Sequence, residues 1–243
     1  MKKLFALLLI FIFCTSAKNE NIKEIHYSYL GNFKALISRP NKPSSKKLPV
    51  IIYNYDEYYD WIGKNKALKK GYDLHKHMKE FNHWGFICIV PLERYRKLNA
   101  LKGAIKYANN LPDSNPNEIH VVGLSEGAFL SIISLKNLPK VTSLSLLAPQ
   151  TINHTGFLSI PQLLRDIEYI KSPILFILGI EEKEWRIKIA ELLLRILQEN
   201  KKEITYLEYP VDKKWFRNHK NAFMSEIHRF ITGKPAPPPS PKK

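Results

Sequence analysis

Ile119-His120-Val121-Val122-Gly123-Leu124-Ser125-Glu126-Gly127-Ala128-Phe129 reads as a buried strand that passes through Gly-x-Ser-x-Gly into a helix. A serine at so sharp a strand-to-helix turn is held in a strained backbone conformation. Small residues two before and two after it keep the strand, the helix and their neighbours from colliding. The amide that follows Ser125 then lies at a helix N-terminus, where it can stabilise a developing oxyanion. The plain alternative is that Ser125 only caps the helix.

Working outward, short apolar runs alternate with longer stretches of helical spacing. Glu24 to Leu30 and Phe33 to Ser38 read as a hairpin turning at Gly31-Asn32. Further strands are expected at Leu48 to Tyr53, Phe86 to Val90, Ile119 to Leu124, Ser143 to Leu147, Ile174 to Leu178 and Ile204 to Tyr209. Helices are expected at Lys66 to Phe81, Leu98 to Asn109, Ser125 to Leu135, Trp185 to Asn200 and Asn221 to Ile231, where apolar residues recur every three or four positions. The stretch from Pro149 to Lys171 carries only weak helical signals. Continuous apolar strands are buried on both faces, as in a mostly parallel sheet with helices on each side. The expected fold class is therefore α/β, in one domain over residues 22–232.

The segments LPVIIYN, GFICIVPLE, LNALKGAIKYANN, IHVVGLSEGA, SPILFILG and YLEYPVDKKWF follow one another in an order that resembles the α/β-hydrolase superfamily. The short, capless layout looks like the dienelactone-hydrolase-like enzymes within it. That resemblance implies a nucleophile, an acid and a histidine in this chain order, acting on a small-molecule ester or similar acyl substrate with no metal or organic cofactor. Ser125 fills the nucleophile position. Glu182, three residues after Gly179, fits the acid, with Glu181 and Glu184 as alternatives. The amides of Glu126 and Tyr55 would form the oxyanion hole. Two positions depart from the pattern. Lys214 stands where the family has its histidine, so His219 is the candidate base, and Lys214 would serve only if burial lowered its proton affinity. Asn54-Tyr55-Asp56-Glu57 replaces the glycines of the oxyanion loop. It brings negative charge to a place meant to hold negative charge unless both carboxylates point away. Tyr55, Tyr58, Tyr59 and Trp61 would crowd the pocket mouth. These departures keep a second reading open, a catalytically silent member of the fold that binds a ligand or an envelope partner.

The ends of the chain lie outside this domain. Lys2 and Lys3, the apolar run Leu4 to Phe13 and the small residues Thr15-Ser16-Ala17 have the form of a secretory leader over residues 1–17. The run is too short to cross a bilayer, so a secreted or periplasmic protein with no transmembrane segment after cleavage is expected. Residues 233–243, GKPAPPPSPKK, read as a solvated Pro-rich tail. The chain has 243 residues, enough for one core of ordinary composition. Its two cysteines exclude a disulfide scaffold; Cys14 falls in the leader and Cys88 in an apolar run. A net charge of +16, spread as lysine clusters, suits an anionic envelope surface. No nucleic-acid motif accompanies it, and His75 and His77, two apart on a helix, face different sides.

Overall fold

The computed structural model describes residues 21–41, 44–93, 95–136, 138, 140–153, 156–157 and 160–238. Eight strands make one sheet. They are β1 (Ile22–Ser28), β2 (Asn32–Ser38), β3 (Leu48–Asn54), β4 (Ile87–Leu92), β5 (Ser114–Leu124), β6 (Ser143–Leu147), β9 (Ile174–Gly179) and β10 (Ile204–Tyr209). Their order is β1-β2-β4-β3-β5-β6-β9-β10. The first hairpin and the β2–β4 pair are antiparallel, and every other neighbour is parallel. The expected α/β class and its mostly parallel sheet are present. Between β6 and β9 lie a small antiparallel pair, β7 (Ile152–Asn153) and β8 (Gly156–Phe157), and the short helix α6 (Ile160–Asp166).

Period-two alternation divides the central strands between two apolar layers. Val50, Ile52, Ile119 and Val121 face one layer, completed by α4 (Lys97–Asn110), α5 (Glu126–Ile133) and α7 (Glu184–Glu199). Ile51, Tyr53, Val122 and Leu124 face the other. That layer is closed by α1 (Tyr58–Ile62), α2 (Lys64–Lys69), α3 (Leu74–His83) and α8 (Phe223–Thr232). Helix α7 shows the pattern well, burying Ala190, Leu193, Leu194, Ile196 and Leu197 along one stripe. Cys88 is fully buried in β4, and burial pushes its thiol well above the usual range.

One helix was expected over 66–81, and two are found. Gly71 takes φ +79°, which breaks the ladder, and the Asp73 carboxylate restarts it by accepting from the His75 amide at 3.0 Å. The apolar spacing continues through the break because both helices pack on the same layer. At the other end, α8 stops at Gly233 with φ +69°. The tail after it differs from a purely solvated segment. His228 Nδ1 donates to the Lys234 carbonyl at 3.1 Å and His83 Nε2 to that of Pro238 at 2.8 Å. Residues 239–243 and the leader-like residues 1–20 lie outside the described residues. No helix among the described residues is long and apolar enough to cross a membrane.

Candidate active site

Ser125 lies between the end of β5 and the start of α5 with φ +59° and ψ −119°. A non-glycine residue holds such a conformation only where its surroundings over-determine it. Here the Ser125 amide donates to Leu147 O at 2.9 Å, and the Ser125 carbonyl accepts from the Gln150 amide at 3.1 Å. The flanking glycines have no room for a side chain. A Cβ on Gly123 would stand 2.5 Å from Ala128 Cα, and one on Gly127 would stand 2.1 Å from Asn54 O. The loop after β3 is thus pressed directly against the turn, and the Asn54 amide side chain ties it there by donating to Gly127 O at 2.8 Å.

The side chains of that loop separate into buried and pocket-facing sets. Tyr55 is buried, and its hydroxyl donates to Asp60 Oδ1 at 2.7 Å. Lys97 Nζ bridges Asp60 at 3.0 Å and Glu126 at 3.2 Å, joining α1 to the first residue of α5. Tyr59 is also buried, so only Tyr58 and Trp61 of the four aromatics line the pocket. The two acidic residues take opposite directions. Asp56 turns away, fully buried, and its Oδ2 accepts from Arg217 Nη2 at 2.6 Å and Nε at 3.1 Å. Glu57 turns in, and Ser125 Oγ donates to its Oε2 at 3.4 Å. Burial alone would raise the Asp56 value. The hydrogen bond with Glu57 and the charges of Lys213 and Arg217 outweigh it, holding Asp56 below the usual carboxylate range. Glu57 is pushed up to about 8 by burial, by the Asp56 charge and by their shared hydrogen bond. The two shifts oppose each other, favouring a charged Asp56 and a protonated Glu57.

The loop after β10 supplies the opposite wall. Lys213 is buried, with Nζ 3.4 Å from Gln150 Oε1 and 3.9 Å from Glu57 Oε1. Its amide donates to Glu182 Oε1 at 2.9 Å, while Glu182 Oε2 accepts from Arg186 Nη1 at 3.0 Å. Glu182 therefore reaches the loop where the resemblance expects a histidine, but meets its backbone rather than an imidazole. Lys214 is exposed and pairs with Asp212 at 3.4 Å, so the inward lysine is its neighbour. The short turn at Trp215 to Arg217 packs Trp215 and Phe216 on Phe223, which points Lys213 inward and Lys214 out. Glu181 is exposed, and Glu184 pairs at the surface with Lys188 at 2.6 Å. His219 is not brought to Ser125. Its ring lies 5.8 Å from that of His77, whose Nε2 donates to the Arg217 carbonyl at 2.9 Å.

Glu57, Tyr58, Trp61, Lys70, Arg186, Lys213 and Arg217 are among the residues around a cavity of about 550 Å³. Sequence reading passed over Lys213, Arg217, Gln150 and the inward turn of Glu57. The one available signal was the unusual juxtaposition of Asp56-Glu57 with a conspicuously basic 213–217 segment in another loop.

The raised Glu57 value carries a stability consequence. Between 6.5, where His77 and His120 would titrate unfolded, and about 8, the folded chain keeps a Glu57 proton that the unfolded chain has released. Stability is expected to fall as pH rises through that interval. Below it the trend reverses, because the two buried histidines, lowered to about 4 by burial, stay neutral when folded. Urea titrations at several pH values read this directly. A Glu57→Gln chain that kept the decline above 6.5 would contradict the assignment to Glu57.

Sheet order, strand directions and the strained serine between β5 and α5 define the α/β-hydrolase fold. Solved structures bear this out. The acylaminoacyl peptidase of Pyrococcus horikoshii superimposes with a TM-score of 0.64 at 12% identity, covering 91% of this chain and 43% of that one. This chain thus spans less than half the length of that peptidase. A hyperthermophilic esterase from the archaeon Pyrobaculum calidifontis gives 0.65 at 15% identity, covering 87% of this chain and 85% of that one. A Klebsiella pneumoniae protein assigned as a dienelactone hydrolase gives 0.59 at 13%, covering 78% and 85%. The chain has the α/β-hydrolase fold. No protein-family model matches it, and no curated protein matches it in sequence.

Proposed function

We propose that the protein is an exported serine hydrolase that cleaves a carboxylic ester or similar acyl bond through Ser125. The observation that carries this reading is the Ser125 backbone at φ +59°, kept by two glycines whose Cβ positions are filled by neighbouring backbone. A helix cap has no need of that strain, whereas a nucleophile held at a strand-to-helix turn does. The amide of Glu126, first in α5, and that of Tyr55 in the facing loop are the proposed oxyanion donors. Glu182 fixes the loop that carries Lys213. Export is read from the leader-like residues 1–17.

The test is covalent labelling by a fluorophosphonate probe in fractionated cells, with Ser125→Ala as control. A labelled band at the leader-cleaved mass in the exported fraction, absent from the variant, is the expected result. A folded protein that takes no label would end the serine-hydrolase reading. The second reading, a silent fold that binds a ligand or envelope partner, is favoured by one observation, that Ser125 Oγ faces a carboxyl rather than an imidazole.

A further inference from the structure

We propose that the Glu57 carboxylate is the general base of this site, taking the proton of Ser125 in the place where the fold ordinarily uses a histidine. The inference deepens the serine-hydrolase reading and rests on it. Glu57 Oε2, at 3.4 Å, is the hydrogen-bond partner of Ser125 Oγ among the described residues. The other oxygen, Oε1, lies 3.9 Å from Lys213 Nζ. Lys213 sits in the loop after β10, and Glu182 holds its amide. A carboxyl from the loop after β3 thus fills the gap between the serine and the loop that the acid secures. The described histidines near this region are engaged elsewhere. His219 faces His77, His77 donates to Arg217 O, and His120 Nδ1 meets Ser143 Oγ at 2.8 Å. His154 lies outside the described residues.

The surroundings suit the role. A base works best when its proton affinity lies near the working pH, and an ordinary carboxylate is too weak. Here burial and the Asp56 charge raise Glu57, with Glu126 of α5 adding to them and Lys213 opposing. Arg217 neutralises Asp56 from the far side, and Lys97 lies under Glu126. In the forward step Ser125 Oγ bonds to the acyl carbon as its proton passes to Glu57 Oε2, and the carbonyl pair moves to oxygen. Collapse breaks the bond to the leaving alcohol, which receives that proton. Water then attacks the acyl-serine, giving its proton to Glu57. Collapse releases the carboxylic acid and returns the proton to Ser125 Oγ. Ester and water are consumed, acid and alcohol are formed, and the carboxylate is regenerated.

The experiment follows fluorophosphonate labelling rate and p-nitrophenyl acetate hydrolysis against pH in the full chain and in Glu57→Gln, Glu57→Ala, His219→Ala and His154→Ala. Thermal melts verify that each is folded. The wild type is expected to gain rate with rising pH up to an inflection near 8. Glu57→Gln should lose about 100-fold or more together with the inflection. Glu57→Ala should recover part of the rate when formate is added, a response that a purely structural role would not give. Both histidine variants should keep the wild-type profile. A labelled wild type with full rate in Glu57→Gln, or with rate abolished by either histidine change, overturns the proposal and leaves the serine reading standing. A folded wild type that takes no label overturns both.

Discussion

Gly127→Ala is expected to destabilise the protein by about 3 kcal/mol or more, at the upper end of what overpacking costs. The new Cβ would stand 2.1 Å from Asn54 O, 2.7 Å from Asn54 C and 2.8 Å from Tyr55 O. All three are backbone atoms, so no side chain can rotate out of the way. Moving the loop back would break the Asn54 Nδ2 bond to Gly127 O. It would also strain β3, whose Asn54 pairs with Gly123 of β5. A matched control is Gly71→Ala, where φ is +79° but no atom lies within 4 Å of the new Cβ. That change should cost only about 1 kcal/mol of backbone preference. Urea midpoints compare the two. A loss under about 1 kcal/mol for Gly127→Ala would mean that the helix and the loop are not in the close contact described.

The second large effect is expected at Arg217. Its guanidinium bonds Asp56 Oδ2 through two nitrogens and lies 4.0 Å from the centroid of the Tyr58 ring. Asp56 is fully buried. Arg217→Met removes the partner and leaves a carboxylate without it, which costs about 3–5 kcal/mol in buried pairs. Replacing both, as Asp56→Leu with Arg217→Met, should recover much of that loss, because most of it is the penalty of the stranded charge. The sign with pH is also fixed. Asp56 sits below its ordinary value when folded, so the wild-type pair contributes fully above the ordinary carboxylate value and is lost as pH falls through the lowered one. Arg217→Met should weaken that acid-limb contribution, leaving the part supplied by the Glu57 hydrogen bond and the Lys213 charge. Stability changed by less than about 1 kcal/mol in the single variant would show that water reaches Asp56.

The frame of the molecule was legible because burial on both faces of a strand leaves a continuous apolar run, and the Gly-x-Ser-x-Gly segment adds a steric requirement that few residues satisfy. The central strands could be found on those grounds, β5 only as its apolar end, since Ser114 to Glu118 carry no such signal, whereas the β1–β2 hairpin was legible from its Gly31-Asn32 turn. The site was less legible because its decisive side chains lie on loops, where no period says which way a residue turns. Lys213 and Lys214 are adjacent and chemically alike. One is buried beside Glu57 and the other exposed, because Trp215 and Phe216 anchor the next turn. Asp56 and Glu57 divide in the same manner, and what divides them is an arginine 161 positions away in the chain. His219 lies in the loop expected from sequence, and its ring packs on His77 while Ser125 Oγ bonds Glu57.

The strained turn at Ser125 also bears on the order in which the protein comes into being. Its amide is held by Leu147 of β6, its carbonyl by Gln150 beyond β6, and the neighbouring Gly127 by Asn54 of β3. No local hairpin supplies any of these contacts, and parallel strands so far apart in sequence must close long loops before anything rewards them. A chain emerging from the ribosome therefore has the Gly-x-Ser-x-Gly residues well before it has the turn. The strained geometry comes into existence only once the chain beyond β6 is free to join the sheet.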